Sequence, residues 1–142
     1  MHTVSEILRD KGSEVWSVRP DNSILDALKI MAEKRVGALL VMESDKLVGI
    51  FSERDYARKV ALEGRTSRDS SVGEIMSHKV LCARPDQTIE ESLAMMSEKR
   101  ARHLPVVDHK KIIGVVSIGD LVKCMIAEQQ FEIERLQYYI TH

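Results

Sequence analysis

The chain has 142 residues, with 21 Lys and Arg against 22 Asp and Glu and a formal net charge of −1. That length suits one compact domain, and the balance of charge supplies neither the basic patch of a nucleic-acid binder nor the polybasic run of a membrane-surface protein. No apolar run is long enough to span a bilayer and no signal peptide is recognisable, so a cytoplasmic protein is expected; Cys82 and Cys124, in apolar surroundings, do not make a disulfide framework.

In chain order, the first element is a helical turn over Val4-Ser5-Glu6-Ile7-Leu8. Val15–Val18 is a short extended segment ahead of Pro20. Ser23 opens a helix that places Ile24, Ala27, Leu28 and Met31 on one face. Ala38–Met42, bounded by Gly37 and the polar turn Glu43–Lys46, pairs with Leu47–Phe51 as a hairpin, and Ser52 opens a helix to about Leu62. The polar stretch Glu63–Ser71 reads as a linker. Then the series returns: the turn Val72-Gly73-Glu74-Ile75-Met76, an extended Val80–Ala83, a helix from Thr88, a hairpin of Leu104–Val107 and Ile112–Val116 about Asp108–Lys111, and a helix from Ser117. This last helix is expected to reach about Ile140. Along it Val122, Ile126, Gln129, Ile133, Leu136 and Ile140 alternate at spacings of 4 and 3, a heptad seam that suits either the helix's own domain or a second subunit.

The return is an ungapped duplication. Shifted by 65 positions, Arg19–Asp55 overlies Arg84–Asp120, and 15 of the 37 pairs are identical. The predicted class is therefore α/β (α+β): two β-α-β-β-α repeats packed as a pseudo-twofold pair. The first, with its helical turn, spans 4–63, a linker 64–71, the second repeat 72–126, and a helical extension 127–142. Each repeat alone would bury only about 60% of its unfolded surface, so a core shared between them is expected. The turn motifs Val4–Leu8 and Val72–Met76 are offset by 68, which places an insertion near Asp10–Glu14.

Two stretches concentrate the polar chemistry, Gly49-Ile-Phe-Ser52-Glu-Arg-Asp55 and Gly114-Val-Val-Ser117-Ile-Gly-Asp120. Both run from a strand end into a helix start. Ser-x-x-Asp is also the spacing of a capping box, repeated in this chain at Thr3/Glu6, Ser23/Asp26, Ser71/Glu74 and Thr88/Glu91. A ligand site is the other reading. The glycine three residues before each serine permits close approach of a ligand or another backbone. A helix N-terminus favours an anion, and an aspartate there can accept hydrogen bonds from a ribose diol.

The duplication, the element order, the two Gly-h-h-Ser-x-x-Asp endings and the strand His103-Leu104-Pro105-Val106-Val107-Asp108 resemble a tandem pair of cystathionine-β-synthase-type (CBS) domains, a Bateman module. The resemblance covers about residues 4–125. It implies a regulatory module, not an enzyme, that binds adenosyl compounds (AMP, ADP, ATP, NAD(H) or S-adenosylmethionine) in clefts between the repeats and needs no cofactor. It implies two sites. In one, Asp55 holds ribose, Ser52 and Arg54 lie near phosphate, Ile50 meets the base, and Leu81, Ala101, Arg102 and His103 form the facing wall. In the other, Asp120 holds ribose, Ser117 lies near phosphate, Val115 meets the base, and Trp16, Val36, Gly37 and Ala38 face it. Arg54 corresponds to Gly119, and Arg102-His103 to Gly37-Ala38, so the first site is expected to be the more cationic. A homodimer and an unidentified protein target are the implied partners, with no nucleic acid and no membrane.

Against an enzyme that uses the cleft, no nucleophile–base pair, metal-ligand spacing, Walker loop or Gly-x-Gly-x-x-Gly fingerprint is present. A structural protein with vestigial sites is the third reading. His103 and His109 lack further ligands for a metal. Cys82 has no base set beside it by any readable spacing. Trp16 suits either core packing or a base-side wall; His2, His78 and His142 read as surface residues.

Overall fold

Equivalent residues build equivalent elements in the two copies. The computed structural model describes residues 2–141, so His142 lies outside the described residues. Helix α1 is Val4–Lys11, strand β1 Ser17–Val18, helix α2 Ile24–Lys34, and strands β2 and β3 are Ala38–Glu43 and Lys46–Ser52. A single turn α3, Glu53–Asp55, continues as a π-helix over Tyr56–Ala61 where sequence periodicity predicts α-helix to about Leu62. Helix α4 is Val72–Ile75, α5 Ile89–Lys99, strands β4 and β5 are His103–Asp108 and Lys111–Ser117, and α6 runs Ile118–Thr141, close to the predicted extent. The architecture is the expected mixed α/β.

Ser23 Oγ accepts from the Asp26 N–H at 3.0 Å and Thr88 Oγ1 from that of Glu91 at 3.1 Å, so α2 and α5 begin with matched caps. They also end alike, on Arg35 and Arg100 in the left-handed region (φ 57° and 53°). The hairpins β2-β3 and β4-β5 turn through paired positive φ at Ser44-Asp45 and His109-Lys110, the signature of the type I′ turn that matches strand twist.

The first sheet has the order β1-β2-β3, with β1 parallel to β2. In the second copy the expected strand Val80–Ala83 shrinks to one bridge, Ala83 with Val106. Pro105 explains the loss. Its counterpart Leu40 donates its N–H to the Trp16 carbonyl at 3.1 Å, and proline has no N–H to give.

The chain folds as two units, and they do not follow the repeats. One is Val15–Val80; the other joins the chain up to Glu14 to the stretch from Leu81 onward. Helix α1 packs on β5 and α6, and α4 packs on β3. The Val4 N–H donates to the Gln87 carbonyl at 2.9 Å, and the Val72 N–H to that of Asn22, the residue equivalent to Gln87, at 2.8 Å. Each helical turn therefore caps the copy that it does not directly precede in sequence. Buried side chains form two clusters, one per unit, instead of the single shared core expected: Ile24, Leu39, Phe51 and Ile75 lie in one, Val4, Ile89, Leu104 and Leu121 in the other. The exchanged turn supplies the apolar cover that a bare repeat of that length lacks.

The predicted linker is built into the Val15–Val80 unit. Ser70 is buried, its carbonyl accepts from the Ile24 N–H at 3.0 Å, and that of Ser67 accepts from Leu25 at 2.9 Å. Among the described residues no helix is long and apolar enough to cross a membrane.

Candidate functional site

Strand β3 buries Phe51 and delivers Ser52 to its end, half-buried. There the capping box is complete. Ser52 Oγ accepts from the Asp55 N–H at 3.3 Å, and Asp55 Oδ2 accepts from the Ser52 N–H at 3.0 Å and its hydroxyl at 3.1 Å. The other oxygen, Oδ1, accepts from the Ser77 hydroxyl at 3.4 Å and lies 3.5 Å from Lys59 Nζ. Ser77 also ties down the strand edge: its N–H and carbonyl both pair with Ile50, at 2.9 and 3.1 Å. Ile50 can thus offer a base its side chain, while its backbone groups are engaged.

The second turn has the same cap and a different surround. The Ser117 N–H donates to Asp120 Oδ2 at 2.8 Å, and the Asp120 N–H to Ser117 Oγ at 3.1 Å. Lys11, from the end of α1, places Nζ 2.7 Å from Asp120 Oδ2 and 2.9 Å from the Val115 carbonyl. Burial pushes the Asp120 carboxyl up, but the Lys11 hydrogen bond and charge with the Ser117 donors outweigh it, so its pKa lies below the ordinary value. The pair borders an open groove of about 1260 Å³ in this unit, lined also by His2, Lys123, Glu128 and Phe131.

Neither glycine of the two motifs opens space for a ligand. A Cβ on Gly49 would come within 2.5 Å of Met76 Sδ and 2.9 Å of the Ser77 carbonyl oxygen; one on Gly114 would meet Leu8 Cδ2 at 2.6 Å. Both exist to admit the exchanged helical turn. Of the two approaches the sequence left open, Gly49 admits another backbone together with a side chain, and Gly114 a side chain.

The first N–H of each following helix is also committed: Glu53 donates to the Gly37 carbonyl at 3.1 Å, and Ile118 to that of Arg102 at 2.8 Å. These bonds bring predicted residues together. In the Val15–Val80 unit, Ala38 lies opposite Ser52 in the β2-β3 register, so Gly37 and Ala38 share one sheet end with Ile50, Ser52, Arg54 and Asp55. Val36 hangs its N–H on the Met31 carbonyl at 3.1 Å. Trp16 is half-buried against the core, with Lys34 Nζ 4.4 Å from its ring centroid, so packing and a cation–π contact already employ it. In the other unit His103 lies opposite Ser117, and Arg102, His103, Val115 and Asp120 share the equivalent end; Leu81 and Ala101 pack on its core. Within each unit, then, the turn assigned to one expected cleft and the wall assigned to the other meet at a single edge.

Sequence reasoning missed Lys11, Lys59 and Ser77. Lys59 was findable, four residues after Asp55 on a helix; Lys11 and Ser77 arrive only through the exchange. Cys82 is half-buried and burial pushes its thiol up, which leaves it a poor nucleophile. Among the described residues no group of three His, Cys, Asp or Glu is placed to hold a metal ion.

Two copies of one fold, each closing a strand on a capped Ser-x-x-Asp turn, define a recognisable class. The CBS domain model matches residues 4–62 and 72–127, and the chain belongs to the CBS domain family as a tandem pair. It is 38% identical over 97% of its length to the CBS domain-containing protein CBSX3, mitochondrial, of Arabidopsis thaliana, covering 71% of that protein. It is 50% identical to a solved protein with CBS domains from Burkholderia ambifaria MC40-6, with a TM-score of 0.86 over 90% of this chain and 96% of that one. The CBS domain pair of protein MJ0100, solved in complex with 5′-methylthioadenosine and S-adenosyl-L-methionine, aligns with a TM-score of 0.79 at 25% identity over 90% of this chain and 98% of that one.

Proposed function

We propose that this chain is a non-catalytic sensor that binds an adenosyl ligand, a nucleotide such as AMP, ATP or NAD(H) or a thio-adenosyl compound such as S-adenosylmethionine, at its two Ser-x-x-Asp turns. The observation that carries this reading is the pair of half-buried aspartates at equivalent strand ends, each with a lysine ammonium beside it: an acceptor for a ribose diol next to a cation for a phosphate. The adenosyl ligands held by the solved MJ0100 pair support it. The capping box does not compete with it, since Asp55 spends one oxygen on the cap and keeps the second for weaker partners at 3.4 and 3.5 Å.

A ligand acts on such a module only through its different affinity for two states. We propose that the change passes to a second copy of the chain or to a protein target in the cytoplasm. The experiment is thermal denaturation with AMP, ATP, NADH, S-adenosylmethionine and 5′-methylthioadenosine in turn. A ligand at 100 times its dissociation constant adds about 2.7 kcal/mol. A stabilisation that Asp55→Asn and Asp120→Asn together abolish is expected. No shift with any of the five ligands refutes the sensor reading, and turnover of one of them makes the protein an enzyme.

A further inference from the structure

Helix α6 holds to its own unit by one face and leaves another bare. Leu121 belongs to the buried cluster of that unit, and Cys124 and Met125 pack against it. Val122, Ile126, Ile133, Leu136 and Ile140, spaced by 4 and 3 with Gln129 among them, stand exposed. Gln129 is the one polar residue in that line. The charged side chains lie off it: Gln130 Nε2 donates to Glu134 Oε1 at 3.3 Å, and Arg135 to Glu132 Oε2 at 2.7 Å, pairs that flank the line. A stripe without charge over about five turns suits a surface equally without charge, and a second copy of α6 offers one.

We propose that two copies of the chain pair through α6 as a parallel, in-register two-helix coil, and that Gln129 sets both direction and register. The pairing does not depend on the adenosyl reading. In a parallel pair each seam residue meets its own twin. The Gln129 carboxamide then meets a second carboxamide, and an N–H of one donates to the oxygen of the other. In the antiparallel pair with the longest overlap, Val122 faces Ile140, Ile126 faces Leu136, and Gln129 faces Ile133. The amide is buried there against isoleucine and loses its water without gaining a bond. A parallel pair slipped by one heptad sets one Gln129 against Leu136 and the other against Val122, and fails the same way. Charge agrees. Glu132 borders the seam on one flank and Gln137, five residues on, borders it on the other. Parallel helices bring Glu132 to Gln137 of the second copy, an acceptor to a donor. The antiparallel pair brings Glu132 to its own twin, like charge to like.

The test is disulfide capture under mild oxidation in the full chain, with Cys82→Ala and Cys124→Ala as background and either Ile126→Cys or Leu136→Cys added. A disulfide needs Cα atoms about 4.4–6.8 Å apart, so the parallel pair is expected to give a crosslinked dimer from each variant alone. Crosslinking only when the two variants are mixed means antiparallel helices and overturns the proposal. Val122→Cys and Ile140→Cys make the same comparison at the ends of the seam, so poor folding of one set leaves the other to decide. No crosslink from either set overturns the pairing altogether. Gln129→Ile removes the polar residue. It is expected to tighten association about tenfold by sedimentation equilibrium and to let crosslinks form between the Ile126→Cys and Leu136→Cys chains. Crosslinks that stay within each variant when Gln129→Ile is present overturn the role of Gln129.

Discussion

At Gly49 and Gly114 identical residues do similar work against unequal neighbours. The Cβ of an alanine at Gly49 would collide with a backbone oxygen, that of Ser77 at 2.9 Å, as well as Met76; at Gly114 the nearest atoms all belong to the Leu8 side chain. Backbone cannot step aside as a side chain can. Gly49→Ala is expected to cost roughly 1–3 kcal/mol in urea denaturation, and Gly114→Ala clearly less. Equal losses would contradict this account. Asp120 carries a second residue-scale prediction. Its folded pKa is depressed below the ordinary 3.8, so the stability it contributes is complete above that value and is lost as pH falls through the folded pKa. Removing Lys11 leaves burial less opposed and raises the folded pKa. The acid-unfolding midpoint of Lys11→Met, followed by circular dichroism, is expected to move to higher pH; a midpoint that stays in place would mean that the ion pair adds nothing. The sequence supplied both aspartates and their caps, but not this lysine, because no local spacing connects residue 11 to residue 120.

Among the elements, the two hairpins and the starts and ends of α2 and α5 were legible, since turn chemistry, caps and alternation are written locally. The π-helical Tyr56–Ala61 was not, because its apolar pattern reads equally well at the α-helical period. The missing strand in the second copy had a visible cause in Pro105 that the repeat pattern masked. Helix α6 leaves its expected seam exposed. Ile126, Ile133, Leu136 and Ile140 are 59, 49, 56 and 84% exposed, so the helix is not folded down on its own domain along that face. Ile126, Ile133 and Ile140 form one register of the seam and Val122, Gln129 and Leu136 the other, which matches in part the β-branched and leucine pattern of two paired helices. On the proposal that a second copy covers it, light scattering should return twice the chain mass for the unchanged protein and the single mass for Ile133→Glu. A monomer without the substitution refutes self-association, and an intact dimer with it removes the seam from the interface.

For the whole molecule, the sequence repeat and the folded unit are different objects. The helical turns Val4–Leu8 and Val72–Met76 offer the same kind of apolar face, and Gly49 and Gly114 offer the same kind of notch, so sequence alone could not say which turn fills which. It follows that a fragment of residues 15–80 holds a full set of its unit's elements, whereas residues 1–64 hold a helix without its strand and a strand without its helix. The first should melt cooperatively by circular dichroism and the second should not; the reverse result would refute the exchange. The exchange also orders events during synthesis. Helix α1 leaves the ribosome well before β5, on which it packs and which ends at Ser117. At about 5–20 residues per second, α1 waits seconds for its partner while Val15–Val80 becomes complete and can fold. A helix made before the Val15–Val80 unit thus finds its place after it, and until then its apolar face is open to whatever else is in the cell.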